Sequence, residues 1–224
     1  MKVWPVKHSP LLRQPERFIA RSELQALIRN VTQNLVNIKD ESGQFLLRLD
    51  DGRVIDTKGW AGWEWTHGVG LYGIYQYYQQ TGDIEMRDII DRWFADRFAE
   101  GATTKNVNTM APFLTLAYRF EESWAEWALH EVPRTEQGGM QHMTLAEENH
   151  QQMWDDTLMM TVLPLAKIGK LLNRPQYVEE ATYQFLLHVQ NLMDRETGLW
   201  FHGWNYEGRH NFARARWARG NSWL

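Results

Sequence analysis

Two adjacent carboxylates, Asp155 and Asp156, stand in the stretch M-W-D-D-T-L-M-M-T (residues 153–161), between an indole and a run of large apolar side chains. Aspartate is poor inside a helix but suits its first turn, where free backbone N–H groups need acceptors. The pair is therefore expected to open a helix running through Leu158, Val162, Leu165 and Ile168, with one carboxylate as its cap. Neighbouring side chains on a helix point about 100° apart, so the second need not share the environment of the first. An isolated pair of this kind reads as capping. The company it keeps argues for more.

That company recurs at the N-terminal ends of alternate expected helices. Trp63, Trp65 and His67 precede or open the second helix, and Asn106 and Asn108 the fourth. His142, Trp154, Asp155 and Asp156 precede or open the sixth; His202 and Trp204 lie before the eighth, with Trp217, Arg219 and Trp223 at its start. Each has an ordinary reading: Trp65 and Trp154 as packing, His142 and His202 as satisfied loop histidines, Asn108 as an N-cap, Arg219 as half of an ion pair. Together they have the composition of a carbohydrate pocket, because an indole face covers sugar C–H groups while its N–H donates. Several helix N-termini converging there would favour an acidic sugar over a neutral one.

The elements that would place them are helices. Ser22 and Gln25 form an S-x-x-Q capping box ahead of Leu24, Leu27, Ile28, Val31, Leu35 and Ile38 at helical spacing. Residues 45–49 and 53–55 read as a short hairpin. A second helix runs from about Trp63 to Gln80, and Thr81-Gly82-Asp83 stops it and caps a third carrying Met86, Ile89, Ile90, Trp93, Phe94 and Phe98 on one face. A fourth is expected over 109–120, a fifth over 123–130, and a long loop over 133–152. The sixth is bent at Pro164, and Pro175 opens a seventh that ends at Met193. A loop follows over 195–216, and an eighth helix begins near Gly220. The joints Y-Y-Q-Q-T-G-D-I-E-M-R-D and K-L-L-N-R-P-Q-Y-V-E-E resemble each other, as stacked αα-hairpins would require. The second, fourth and sixth helices carry less charge, as an inner layer would; the odd-numbered ones carry more. Such hairpins make a solenoid or a closed α/α barrel, whose parallel inner helices share one rim.

Composition removes other classes. The chain has 224 residues, 43% hydrophobic, enough for one core, and a net charge of −4 with mixed signs argues against a nucleic-acid or membrane surface. With no cysteine, thiolate chemistry is excluded. No apolar run approaches the ~20 residues of a membrane span, and residues 1–10 lack the apolar core of a secretory signal, so a cytoplasmic location is expected. Twelve tryptophans are more than packing alone needs. G-V-G-L-Y-G (68–73) matches a dinucleotide fingerprint but falls inside a helix, where close helix packing accounts for it. The histidines lack recognisable metal-ligand spacing.

Four motifs, in this order and spacing, carry a resemblance: G-G-M-Q-H (138–142), Q-M-W-D-D-T-L-M-M (152–160), T-G-L-W-F-H-G-W (197–204) and W-A-R-G-N-S-W (217–223), with K-N-V-N-T-M-A-P (105–112) before them. From about Trp60 onward the chain resembles the unsaturated rhamnogalacturonyl hydrolases, glycoside hydrolase family 105, and more distantly the unsaturated glucuronyl hydrolases of family 88. The resemblance implies an all-α, (α/α)6 barrel of six hairpins. Seven helices and the start of an eighth are countable, so residues 1–224 are expected to be a single catalytic domain holding only the N-terminal part of such a barrel. It implies hydrolysis of pectin-derived oligosaccharides that carry a 4,5-unsaturated uronic acid at the non-reducing end. The C4=C5 enol ether is hydrated, and the hemiketal opens to release the aglycone. Asp156 becomes the acid/base; Trp217, Arg219 and Trp223 line the uronate site; Trp65, His142, Trp154 and His202 surround the sugar. Neither metal nor organic cofactor is implied, and the expected partner is an acidic oligosaccharide. Asn108 departs from the pattern, since relatives carry Asp there, so a mechanism with two carboxylates is in question.

Two other classes stay open on the residues alone. An inverting glycosidase needs a second carboxylate, with Glu64 or Glu148 nearest, and an epimerase would lean on His67, His142 and His202. A helical-repeat scaffold would use the aromatics to bind protein instead.

Overall fold

The computed structural model describes residues 19–49, 52–101, 103–116 and 122–223. The chain forms two units, residues 1–38 and 39–224. The described part of the first is one helix, α1 (Arg21–Val36). The helix starts from an extended Ala20, so Ser22 falls in the first turn rather than at the cap, and the expected capping box does not form.

The second unit opens with the expected hairpin, β1 (Leu46–Arg48) antiparallel to β2 (Val54–Asp56). Residues 50–51 at its tip lie outside the described residues. Next comes α2 (Trp65–Thr81), closed by Gly82 in the left-handed region (φ 71°), a backbone state that only glycine adopts without strain. Asp83 caps α3 (Ile84–Ala99) by accepting from the Glu85 N–H, which completes the first αα-hairpin. Met86, Ile89, Ile90, Trp93 and Phe94 are buried, whereas Phe98 on the same predicted face is 45% exposed.

The fourth expected helix is interrupted. A 3-10 turn over Asn108–Met110 leads through Ala111 and Pro112 into a short α4 (Phe113–Leu116). Pro112 has no N–H to continue the ladder. Residues 117–121 are outside the described residues. α5 (Glu122–His130) follows. The third hairpin, α6 (Leu163–Leu171) and α7 (Pro175–Leu192), matches expectation, with Pro175 in the first turn of α7 and Gly169 facing Tyr177 and Val178 where no side chain would fit. α8 (Ala218–Asn221) begins two residues before Gly220.

α4 touches both α2 and α6, while α3 packs on α2 and α7 on α6. That is the predicted layering of inner and outer helices, and the fold is all-α of the α/α-barrel class. Gly68 on α2 meets the Ala111–Pro112 backbone, a contact that any Cβ would block. This close approach, not a phosphate cradle, accounts for Gly68, whereas Gly73 meets nothing within 4 Å. Trp63 is core rather than rim: it lies parallel to Trp124 (6.4 Å, 9°), and its indole N–H donates to the Thr109 carbonyl at 2.7 Å. Burying such a ring contributes on the order of 2–3 kcal/mol. No described helix is long and apolar enough to cross a membrane.

The largest departure lies at residues 152–162. Gln152–Trp154 is a strand, β3, paired antiparallel with β4 (Gly203–Asn205), so that Met153 faces Trp204. The chain turns at Asp155 and enters a π-helical turn, Leu158–Val162, before α6. The wider turn sits just ahead of Pro164 and takes up the disruption a proline causes inside a helix. No side chain caps this helix start. The expectation that one aspartate would cap it is therefore corrected: both carboxylates have other partners.

Candidate active site

The β3–β4 ladder ties the loop that carries Asp155 and Asp156 to the loop that carries His202. Its continuation is the Asp155 N–H donating to the His202 carbonyl at 2.9 Å. The same two residues meet again through side chains, with His202 Nδ1–H donating to Asp155 Oδ1 at 2.9 Å. Asp156 Oδ2 lies 3.5 Å from that nitrogen. Asp155 is fully buried and Asp156 is 8% exposed. The Trp223 indole N–H donates to Asp156 Oδ1 at 3.3 Å.

Around this cluster the predicted aromatic residues close a ring of contacts. Trp223 stands edge-on to Trp65 (6.2 Å). The Arg219 guanidinium lies over Trp65 at 4.5 Å and over Trp217 at 3.8 Å. Trp217 in turn meets His202 edge-on at 4.9 Å. Trp154 sits 5.0 Å from His202 and stacks flat on His142 at 4.4 Å, with 5° between the planes. Arg219 is exposed, and among the described residues no carboxylate pairs with it. Guanidinium over indole is a cation–π contact that leaves the N–H edges free for a ligand.

Burial, then the adjacent Asp155 charge, raises the Asp156 carboxyl to about 6, against the pull of His202 and the Trp223 hydrogen bond. His202 loses some affinity for a proton through burial, but its bond to Asp155 and the charges of both aspartates outweigh that, so its pKa is raised. His142 is buried with Nδ1 2.9 Å from Thr157 Oγ1; burial lowers it to about 3, so it is neutral and backs the Trp154 ring.

Asn108 is not the cap it resembled. Asn106 does that work, its Oδ1 accepting from the Asn108 and Thr109 N–H groups at 2.9 and 3.1 Å. The Asn108 side chain instead hydrogen-bonds Glu64, whose carboxyl is raised chiefly by burial. His67 is wholly engaged: Nδ1 accepts from the Glu64 N–H at 3.1 Å and Nε2–H donates to the Gly59 carbonyl at 2.7 Å. Trp204 packs with Met153, Leu187 and Tyr206 in the core.

Two features were beyond sequence reasoning. One is the Asp155–His202 bond, between residues 47 positions apart. The other is Phe212, edge-on to Trp154 and His202 at 5.8 Å each and seated where Gly203 has no side chain. Phe212, Ala213 and Arg214 all have positive φ (51°, 53°, 61°) with no glycine to announce the turn. Asp155, Asp156 and His202 also have the mutual spacing of metal ligands, within 4.8 Å. Since His202 Nδ1 points at a carboxylate at hydrogen-bond distance, the arrangement as it stands is a proton network.

The helical hairpins of this α/α-barrel fold thus bring together a carboxylate–imidazole cluster walled by indoles near the starts of the inner helices. Residues 37–224 match the model of Glycosyl Hydrolase Family 88, and the chain belongs to that family. It is similar to unsaturated rhamnogalacturonyl hydrolase YesR of Bacillus subtilis, 29% identical over 174 residues, covering 72% of this chain and 51% of that protein. The chain thus spans about half the length of the curated relative it matches. A possible member of GH105 family from Klebsiella pneumoniae is 94% identical in sequence and superposes with a TM-score of 0.88, over 100% of this chain and 61% of that one. Unsaturated glucuronyl hydrolase from Bacillus sp. GL1, 19% identical with a TM-score of 0.55 over 88% of this chain and 56% of that one, shares the fold.

Proposed function

We propose that the protein removes a 4,5-unsaturated uronic acid from the non-reducing end of pectin-derived, rhamnogalacturonan-type oligosaccharides. The observation that carries this is Asp156, a nearly buried carboxyl raised to about 6, beside an imidazole and within a ring of indoles that holds an exposed guanidinium. A carboxyl titrating there can give a proton and take one back near neutral pH. Asp156 delivers its proton to C4 of the enol ether while water bonds to C5 and returns a proton to Asp156. The hemiketal then opens and expels the aglycone. Arg219 receives the uronate carboxylate, Trp217 and Trp223 cover its faces, and Trp65, Trp154, His142, His202 and Asn108 complete the sugar site. Family membership and the likeness to YesR support this reading.

The conjugated enol ether absorbs in the ultraviolet, so turnover of lyase-generated oligosaccharides is expected to bleach that band, and Asp156→Asn to stop the bleaching. Equal turnover of saturated oligosaccharides would replace this reading with an ordinary glycosidase. Failure to bind any acidic sugar would favour a non-catalytic scaffold.

A further inference from the structure

We infer that Asp155 is a positioning residue: its buried carboxylate locks His202 with Nδ1–H held between the two aspartates, so that Asp156 works beside a fixed hydrogen-bond donor. The inference rests on the role proposed for Asp156, but the geometry that carries it is independent of any substrate.

Asp155 has no exposure at all, and its second oxygen, Oδ2, has no hydrogen-bond donor among the described residues. The α8 backbone presses on it at Gly220, where a Cβ would overlap the carboxyl. A carboxylate held this way is stable as an ion only beside a cation or a strong donor. His202 Nδ1 is that donor, and the main-chain bond from Asp155 N–H to His202 O fixes the two residues against sliding. Trp154, Trp217 and Phe212 pack around the imidazole and set its plane. The pair is therefore held by a ladder bond, a side-chain bond and three rings.

The charged and titratable groups facing this pair are few. His202 faces Asp155, Asp156, Arg219 and His142. Asp155 faces His202, Asp156 and His188. Burial keeps His142 and His188 neutral, and Arg219 opposes a charge on His202. The two aspartates are thus the groups that raise the His202 pKa, Asp155 through its hydrogen bond first. In the reaction, Asp156 becomes ionised when its proton goes to C4. The Nδ1–H, 3.5 Å away, can lean toward the new carboxylate until the attacking water returns a proton. His202 keeps its Nδ1–H toward the aspartates throughout, held there by the bond to Asp155.

The first test needs no variant and no substrate. Imidazole 15N NMR on the protein is expected to show His202 as the Nδ1–H form, with a pKa above that of an ordinary histidine. A His202 pKa at or below the ordinary value, or an unprotonated Nδ1, would overturn the inference. Asp155→Asn, which keeps the shape and removes the charge, is expected to lower the His202 pKa by about one unit or more. It should cut kcat about 10- to 100-fold with KM nearly unchanged, the size seen when the hydrogen-bond partner that orients a metal-ligating histidine is lost. The basic limb of its pH–rate profile should move to lower pH. Asp155→Asn with an unmoved His202 pKa and wild-type kcat would also sink it. An active enzyme with an ordinary His202 overturns the positioning role alone. A locked His202 in a protein that bleaches no enol ether overturns the function alone.

Discussion

The starts of α2 and of the helical segment leading into α6 carry the same kinds of side chain and spend them differently. At α2, Glu64 accepts from the Trp65 N–H at 3.2 Å, and His67 accepts from the Glu64 N–H while donating to Gly59. The imidazole is consumed by backbone, and the carboxyl by backbone and the Asn108 side chain. At the other start, Asp155, Asp156 and His202 bond to one another. The difference comes from what satisfies the main chain. The β3–β4 ladder and its extension to the Asp155 N–H organise the approach to the turn, so the carboxylates are released from capping. A helix start held by a neighbouring strand leaves its acidic residues free for chemistry.

The sharpest way to break this contrast is to remove the freed carboxylate. Asp156→Asn is expected to lower kcat/KM about 10²- to 10⁴-fold, the usual contribution of a general acid–base group. Bleaching of the enol ether measures it. Residual activity near wild type would place the chemistry elsewhere.

Next in size is Gly220→Ala. The added methyl meets the Asp155 carboxyl, and neither the helix backbone nor a buried, doubly tied aspartate yields easily. Overpacking of this kind costs about 1–3 kcal/mol. A denaturant midpoint should show the loss, with activity falling in parallel. The penalty should shrink in an Asp155→Ala background, where the methyl has room. Equal penalties in the two backgrounds would mean that Gly220 and Asp155 are not in contact.

A smaller effect concerns pH. Asp156 is raised from 3.8 to about 6 in the folded protein, so its neutral form is the one folding favours. Its contribution is fully present below pH ~4 and is lost as pH rises through about 6. Asp156→Asn should therefore stabilise the protein at pH 8, on the order of 1–3 kcal/mol, and hardly at pH 4. Thermal unfolding of both proteins across that range reads the difference. The same substitution would then harm activity and help stability, as expected of a strained functional group.

Much of the helical frame was legible because hydrophobic spacing and caps are local. The α2–Gly82–Asp83–α3 joint and the Pro175 start of α7 needed only neighbouring residues. The capping box at Ser22 failed because a motif offers a cap without fixing where the helix begins. The strand at 152–154 was missed because three residues carry no period, and its partner lies some fifty residues away. Of the site, the residue types were visible, and their place at the inner-helix starts followed from the layering. Pairings were not: Asp155 with His202, Glu64 with Asn108, and Phe212 on its left-handed turn all depend on chain crossings that no local pattern encodes. His67 and Trp63 misled for the opposite reason, since polar and aromatic residues near a pocket also serve the backbone and the core.

The smallest expected effect is also the one that tests the contrast from the other side. Glu64 is the nearest carboxyl to Asn108, and burial raises its pKa as it does for Asp156. If it serves only the helix start, Glu64→Gln should change little, because the amide oxygen can still accept from the Trp65 N–H and the amide remains a partner for Asn108. Stability should move by less than about 1 kcal/mol, as for exchanges between competent caps. The sign should be slightly favourable near neutral pH, since a raised carboxyl stabilises the fold only below its unfolded pKa and loses that as pH rises through the folded value. Turnover should stay within about two-fold, against the general acid–base loss expected for Asp156→Asn. A kcat loss for Glu64→Gln approaching that of Asp156→Asn, with folding intact, would show two working carboxyls instead of one. The chemistry would then be that of paired acids across a pocket, and the start of α2 would join the site proposed at the other helix start.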